Sequence, residues 1–481
     1  MKTPHRLRLA VLAATAWLAA CGGGGDSPPV AATPTVPEET RAQDRRVFTP
    51  ADPSATTFAA MSGVVAGTDR WAGVLGGAAY RIEVPANWNG RLVMYAHGFR
   101  GEGASLTVSN PSIRRYLIEN GYAWAASSYS TNFYDVRAGV EDTNALALAF
   151  NQIAAARGRP LPIPTRLYIT GHSMGGHVTG AAIEAETYAT ARNKVQYHGA
   201  VPMCGVMGDV ELFNRFAGMQ VTAQTLAGVP SYPTDKWSEI VGLVTNTLFT
   251  TFPSVPTAQG QKYLSVVKNL TGGQRPMFNE GIGFGGSFPS AYGTFGSDGT
   301  VTGILNRNVL DTNALTYVID GDAPGSATLN ATTPKLTAAP DANRLRRDGL
   351  RWVPVINGEF KVPVVSIHTL GDLFVPFSMQ QVYQQRTAAK GNSSWLVQRA
   401  IRGASHCDFT VAEQVQAFTD MVAWEQGGPR PAGDDVITPA TVAASSYGCT
   451  FTNNTLGPDD GAPVPALRAG IAANPANTCP P

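Results

Sequence analysis

The sequence predicts an α/β fold: a mostly parallel sheet covered by helices, with a cap inserted between two of its strands. Three observations predict it. Apolar runs of strand length alternate with runs of helical spacing from residue 79 to residue 203. The alternation breaks over residues 205–360. It resumes with "KVPVVSIHTLGD", "SMQQVYQQRTAAKG" and "WLVQRAIRGASH". Parallel strands need a crossover between them, and helices supply it. Resumption beyond the break argues for one interrupted sheet rather than a second, separate domain.

The elements follow in order. Residues 1–20 carry Lys2, Arg6 and Arg8, then the apolar run "LAVLAATAWLAA". That run is too short to cross a bilayer and suits the core of an export signal. "LAAC", ending at Cys21, resembles the lipobox of bacterial lipoproteins, which implies cleavage before Cys21 and lipidation of its thiol. Residues 21–45 are Gly-rich and then Pro-rich, and are expected to form a tether that does not pack. The first part of the core, 46–204, holds strands at Ala79–Val84 and Arg91–Ala96 joined by a Pro/Asn/Gly turn. A strand at Tyr122–Tyr129, a helix over 144–158 and a strand at Thr165–Thr170 come next. An alanine-rich helix over 180–193 and a strand at Val195–Met203 complete it. The cap, 205–360, contains the helical stretch 235–252 and the Gly/aromatic segment "GIGFGGSFPSAYGTFG". Its start, 281–286, does not follow a strand and precede a helix, so it is expected to be a flexible loop rather than a nucleotide-binding turn. The second part of the core spans 361–432. The tail, 433–481, is rich in Pro, Ala and Gly.

Composition bounds the function. Hydrophobic residues make up 43% and aromatics 9%, and the formal charge is +1. No sign of charge dominates, which argues against nucleic acid or an anionic membrane surface as a main partner. Besides Cys21 there are Cys204, Cys407, Cys449 and Cys479. An even number in an exported chain suggests two disulfides, with three possible pairings. No H-E-x-x-H, C-x-x-C pair, EF-hand loop, P-loop or dinucleotide fingerprint is present, so neither metal nor cofactor is expected.

The chemistry-bearing motif is "GHSMGG". With 51 glycines in the chain, G-x-S-x-G alone carries little weight. Here, however, Ser173 lies directly after a predicted strand and before a predicted helix, the setting of a nucleophile elbow. A serine hydroxyl needs a base, and the base an orienting acid. In this architecture they follow in the order Ser, Asp/Glu, His. His5 is in the signal, His172 and His177 are in the elbow, His97 and His198 come too early, and His368 lies within a strand. His406, in "RGASHCDF", is the base. Asp372, in "GDLFVP" just past a strand, is the acid. Its rival Asp408 is read as a cap for the helix that follows. A tetrahedral oxyanion needs two N–H donors: Met174 supplies one, and Phe99, in the loop "YAHGFRGEG", the other. His97 is read as a scaffold residue of that loop. Phe99, Met174 and Phe374 are expected to touch substrate, with cap aromatics among Trp237, Phe249, Phe252, Phe278, Phe284, Phe288 and Tyr292.

From about residue 60 to 430 these motifs, "HGFRG", "GHSMGG", "GDLFVP" and "GASHCDF", resemble the α/β-hydrolase family. The resemblance implies acyl transfer through a serine ester. Within the family the chain looks most like bacterial secreted and lipid-anchored carboxylesterases, some acting on polyesters. It implies a monomer that hydrolyses small or polymeric esters without a cofactor. It also implies a place at the bacterial cell envelope, with the lipid at Cys21 as the one membrane contact, or release from it. A tannase-like branch joins cysteines beside its nucleophile and its histidine. Here Cys407 follows His406 but position 172 is His, so Cys204 is the substitute partner, leaving Cys449 with Cys479. A serine peptidase or amidase of the same fold is the second reading, and a non-catalytic surface lipoprotein the third.

Overall fold

The computed structural model describes residues 47–50, 56–65, 67–296, 310–338 and 353–479. The expected signal, Cys21 and the tether lie outside the described residues. Eight strands form one sheet: β1 Thr68–Leu75, β2 Ala78–Pro85, β3 Arg91–Ala96, β4 Ala123–Ser127, β5 Arg166–His172, β6 Gly199–Met203, β7 Val364–Thr369 and β8 Leu396–Ile401. Their spatial order is β8-β7-β6-β5-β3-β4-β2-β1, and only β2 runs against the rest. These are the order and directions of the α/β-hydrolase fold.

Helices cover both faces, which is why the central strands are apolar throughout rather than alternating. Leu92 and Met94 of β3 pack into one core, Val93 and Tyr95 into the other. The helices of the first part are α1 Arg114–Glu119, α2 Val136–Ala156, α3 Met174–Ala182 and α4 Ala185–Thr190. Helix α2 starts earlier than its apolar spacing suggests, because Asp135 caps it by accepting from the Ala138 N–H at 3.0 Å. The alanine-rich helix expected over 180–193 is two helices. Glu184 breaks it: its carboxylate accepts from the N–H groups of Gly358 and Glu359, at 2.8 and 2.9 Å. Strand β1, "TDRWAGVL", has no apolar period and no counterpart in the sequence reading. It is an edge strand held by its pairing with β2, from Thr68↔Pro85 to Leu75↔Ala78.

Between β6 and β7 the chain leaves the sheet. It builds α5 Val210–Leu226, α6 Trp237–Leu248, α7 Ala258–Leu270, α8 Phe278–Ile282, α9 Ser287–Thr294 and α10 Ala323–Thr332. After β7 come α11 Ser378–Ala389 and α12 Val411–Glu425, and the tail adds α13 Pro439–Val442 and α14 Pro463–Ala472. Helix α12 is capped by Thr410 in a capping box with Glu413, not by Asp408. The tail grips the start of α12 and the loop before it: Arg468 pairs with Glu413 at 2.9 Å and donates to the Asp408 carbonyl at 2.6 Å. Disulfides join Cys204 to Cys407 and Cys449 to Cys479.

Candidate active site

The site is built at the carboxyl edge of β5, β7 and β8, where ligand sites of open parallel sheets lie. Strand β5 ends at His172 and α3 begins at Met174, so Ser173 must reverse the chain in a single residue. It does so at φ 59° and ψ −124°, a conformation that side chains rarely adopt. The turn is tight enough that a Cβ on Gly175 would stand 2.1 Å from the carbonyl oxygen of Ala96. Only glycine fits there, which is the physical content of the second glycine in the motif. The Ser173 N–H donates to the Met203 carbonyl at 3.0 Å and anchors the turn to β6.

Three side chains from three separate segments converge. Ser173 Oγ lies 2.8 Å from His406 Nε2, and His406 Nδ1 lies 2.5 Å from Asp372 Oδ2. The Asp372 side chain is fully buried and that of His406 is 21% exposed. The other carboxylate oxygen, Oδ1, accepts from the N–H groups of Phe374 and Val375, each at 2.9 Å. The carboxylate is therefore fixed in rotation by its own turn. Asp408 is not directed at the imidazole; it accepts from the Ala404 N–H at 3.0 Å and lies 3.8 Å from Arg468 Nε. The disulfide between Cys204 and Cys407 ties the loop of His406 to the end of β6. Both cysteines have left-handed backbone, at φ 42° and 57°.

The loop from His97 to Gly101 crosses directly over the serine: a Cβ on Gly98 would sit 3.2 Å from Ser173 Cβ. His97 stacks on Tyr129 with ring centroids 4.0 Å apart, and its ring nitrogens face the carbonyls of Gly98 and Ser128 at 2.6 and 2.9 Å. Burial pushes its pKa down to about 4, and the ring braces the loop against Tyr129 and Ser128. Met174 is the first residue of α3, where backbone N–H groups have no partner within the helix.

A cavity of about 200 Å³ opens on Ser173, lined by Phe99, Tyr134, Phe213, Phe216 and Phe374 among others. Phe374 also sets its ring edge-on to His406 at 5.5 Å. The side chain of Met174 does not line this cavity; it is 2% exposed and packs in the core. The cap aromatics singled out from the sequence do not line it either. Trp237, Tyr292 and Phe295 pack on one another, as do Phe249, Phe252 and Phe288, and so form the insertion's own core. Phe278 is buried against Arg275, and Phe284 is 49% exposed. The wall comes instead from α5, whose first turns follow β6 at the catalytic edge. Its apolar spacing at Leu212, Phe213 and Phe216 was the readable signal.

"GIGFGG" is not a loose loop. Gly281 and Ile282 end α8, and the glycines at 281 and 285 are pressed against other backbone, with no room for a Cβ.

No known family profile matches the chain. It is similar to o-phthalyl amidase of Xanthobacter agilis, 29% identical over 91 residues, which is 19% of this chain and 20% of that protein. The match thus spans a fifth of the relative's length. Among solved structures it is similar to feruloyl esterase B from Aspergillus oryzae, at TM-score 0.42 and 16% identity, over 77% of this chain and 82% of that one. An esterase from Aspergillus oryzae gives TM-score 0.42 and 12% identity, over 80% and 85%. Acylaminoacyl peptidase of Pyrococcus horikoshii gives 0.35 and 10%, over 71% and 37%.

Proposed function

We propose that the protein is a serine hydrolase that cleaves carboxylic esters through an acyl-enzyme. The observation that carries this reading is the unbroken line from Ser173 Oγ through His406 to Asp372, set at a strained strand-to-helix turn. In the reaction, Ser173 Oγ attacks the acyl carbon while its proton passes to His406 Nε2. Asp372 Oδ2 holds Nδ1–H, which fixes the tautomer and stabilises the imidazolium. The N–H groups of Phe99 and Met174 stabilise the tetrahedral oxyanion. His406 then returns the proton to the departing alkoxide. Water, activated by the same imidazole, repeats the attack and frees Ser173.

The cavity beside Ser173 is enclosed and aromatic, and it suits a compact apolar acyl group, with any longer or polymeric remainder extending past it. Residues 205–360 act as the cap between core parts 46–204 and 361–432, and α5 supplies its substrate wall. The protein is an exported monomer held at the cell envelope by lipid on Cys21 and the tether 21–45. Two disulfides among the described residues support an oxidising compartment, and no helix among those residues is long and apolar enough to cross a membrane. The test is a panel of p-nitrophenyl esters, a solid polyester and a peptide amide. Fast turnover of short esters with negligible amide hydrolysis is expected; an amide turned over faster than any ester would replace this reading with a peptidase.

A further inference from the structure

Behind Asp372, the turn that carries it is gripped by side chains of the insertion. Ser287, buried at the start of α9, donates its hydroxyl to the Gly371 carbonyl at 3.0 Å and accepts from the Leu373 N–H at 3.1 Å. One hydroxyl thus brackets Asp372 from both neighbours. Arg275 is 2% exposed. Its Nε–H donates to the Leu370 carbonyl at 2.8 Å, and its other groups reach the Gly273 carbonyl at 2.9 Å and Thr271 Oγ1 at 3.3 Å. Its guanidinium also lies against the ring of Phe278, 5.3 Å from the centroid. Among the described residues it forms no ion pair with a carboxylate. Burial pushes it down to about 9, and the negative charge of Asp372 opposes that fall. Burying a cation with no carboxylate partner is costly, and of its three bonds the one to the Leu370 carbonyl reaches the acid turn.

The backbone completes the contact. A Cβ on Gly281 would stand 2.0 Å from the Gly371 carbonyl oxygen, and one on Gly285 would stand 1.9 Å from that of Ala404. Gly371 belongs to the acid turn, and Ala404 to the loop that carries His406. The insertion therefore lies directly on both.

We propose that residues 275–287 are a positioning element for the triad: Ser287 and Arg275 hold the acid turn where it aligns Asp372 on His406. Turnover then depends on residues 275–287 even though none of them lines the cavity at Ser173. The inference rests on Ser173, His406 and Asp372 being the reacting triad.

The test is Ser287→Ala, which removes both bonds with one atom. With p-nitrophenyl acetate, kcat is expected to fall about 10–100-fold, as for a displacement of reacting groups approaching 1 Å, while KM changes less than about threefold. The far-downfield NMR resonance of the His406 Nδ1 proton is expected to shift or broaden, and Ser287→Thr, which keeps the hydroxyl, to restore most of the rate. If Ser287→Ala does not fold, Arg275→Gln is read in the same way, since it keeps a donor but loses the charge. A folded variant with wild-type kcat and an unmoved resonance overturns the inference. Ser173→Ala run alongside separates the two failures. An active Ser173→Ala brings down the triad itself, whereas an inactive one beside a full-rate Ser287→Ala brings down only the positioning role.

Discussion

Replacing Asp372 by Asn changes one atom of a buried carboxylate, and the structure dictates how the amide must sit. Oδ1 accepts from two backbone N–H groups, and Oδ2 faces His406 Nδ1. If the amide oxygen turned toward His406, its NH2 would face the N–H groups of Phe374 and Val375. Two backbone donors, that of Val375 buried, would lose their acceptor, at about 1–3 kcal/mol for the buried one. The amide therefore keeps its oxygen on the backbone and points NH2 at Nδ1. Nδ1 must then accept, the ring proton moves to Nε2, and the imidazole donates to Ser173 Oγ instead of accepting from it. Loss of the correct tautomer costs about 10⁴-fold in kcat in enzymes of this mechanism, or ~5 kcal/mol of barrier. The assay is kcat and KM for p-nitrophenyl acetate, with thermal unfolding to show that the fold survives. Activity of Asp372→Asn within tenfold of wild type would refute the reasoning.

Other consequences follow from neighbouring contacts. Asp408→Asn, acting on the Ala404 N–H and beside Arg468, is expected to lower stability but to keep kcat within about threefold; a greater kinetic loss than Asp372→Asn would reverse the two roles. Phe216→Ala enlarges the acyl cavity and is expected to raise the ratio of long-chain to acetate ester turnover by about tenfold, and an unchanged ratio in competition assays would move the acyl site elsewhere. Removing both Cys449 and Cys479, which are 30 residues apart, is expected to cost about 3–4 kcal/mol in urea unfolding on the chain-entropy estimate; no change would show the tail to be held by its other contacts alone. His97 and His177 are buried and His172 is half-buried, and all three are pushed down to about 4. The unfolded chain binds protons to them from about pH 6.5 and the folded one does not, so stability is present above that pH and is lost as pH falls toward 4. Folding His177→Gln should flatten this slope in urea titrations by about one proton, and an unaltered slope would mean that His177 titrates freely.

The central sheet and the elbow were readable because each rests on a local rule. Strand β3 matches its apolar run residue for residue, and β5 ends where a serine stands between glycines before a helix. The insertion was harder because its signals are ambiguous without packing. Glycines at 281 and 285 read equally as freedom to move or as room for close backbone approach, and only the carbonyls of Gly371 and Ala404 decide. The aromatics of 237–292 read equally as pocket or core. Phe213 and Phe216, at the very start of the insertion, have the advantage of following β6 at the catalytic edge. Strand β1 was invisible because an edge strand held by its neighbour needs no apolar face. Ser287 and Arg275 could not be found at all, since their partners in the acid turn lie more than 80 residues away in the chain.

Whether Ser173 is the nucleophile is decided by covalent labelling with a fluorophosphonate, which loses fluoride as a nucleophilic oxygen bonds to phosphorus, followed by peptide mass analysis of the intact, disulfide-bonded protein. A single adduct on Ser173 is expected, absent in Ser173→Ala and formed far more slowly in His406→Ala and Asp372→Asn. An adduct on any other residue, or labelling of Ser173→Ala at the wild-type rate, would contradict it.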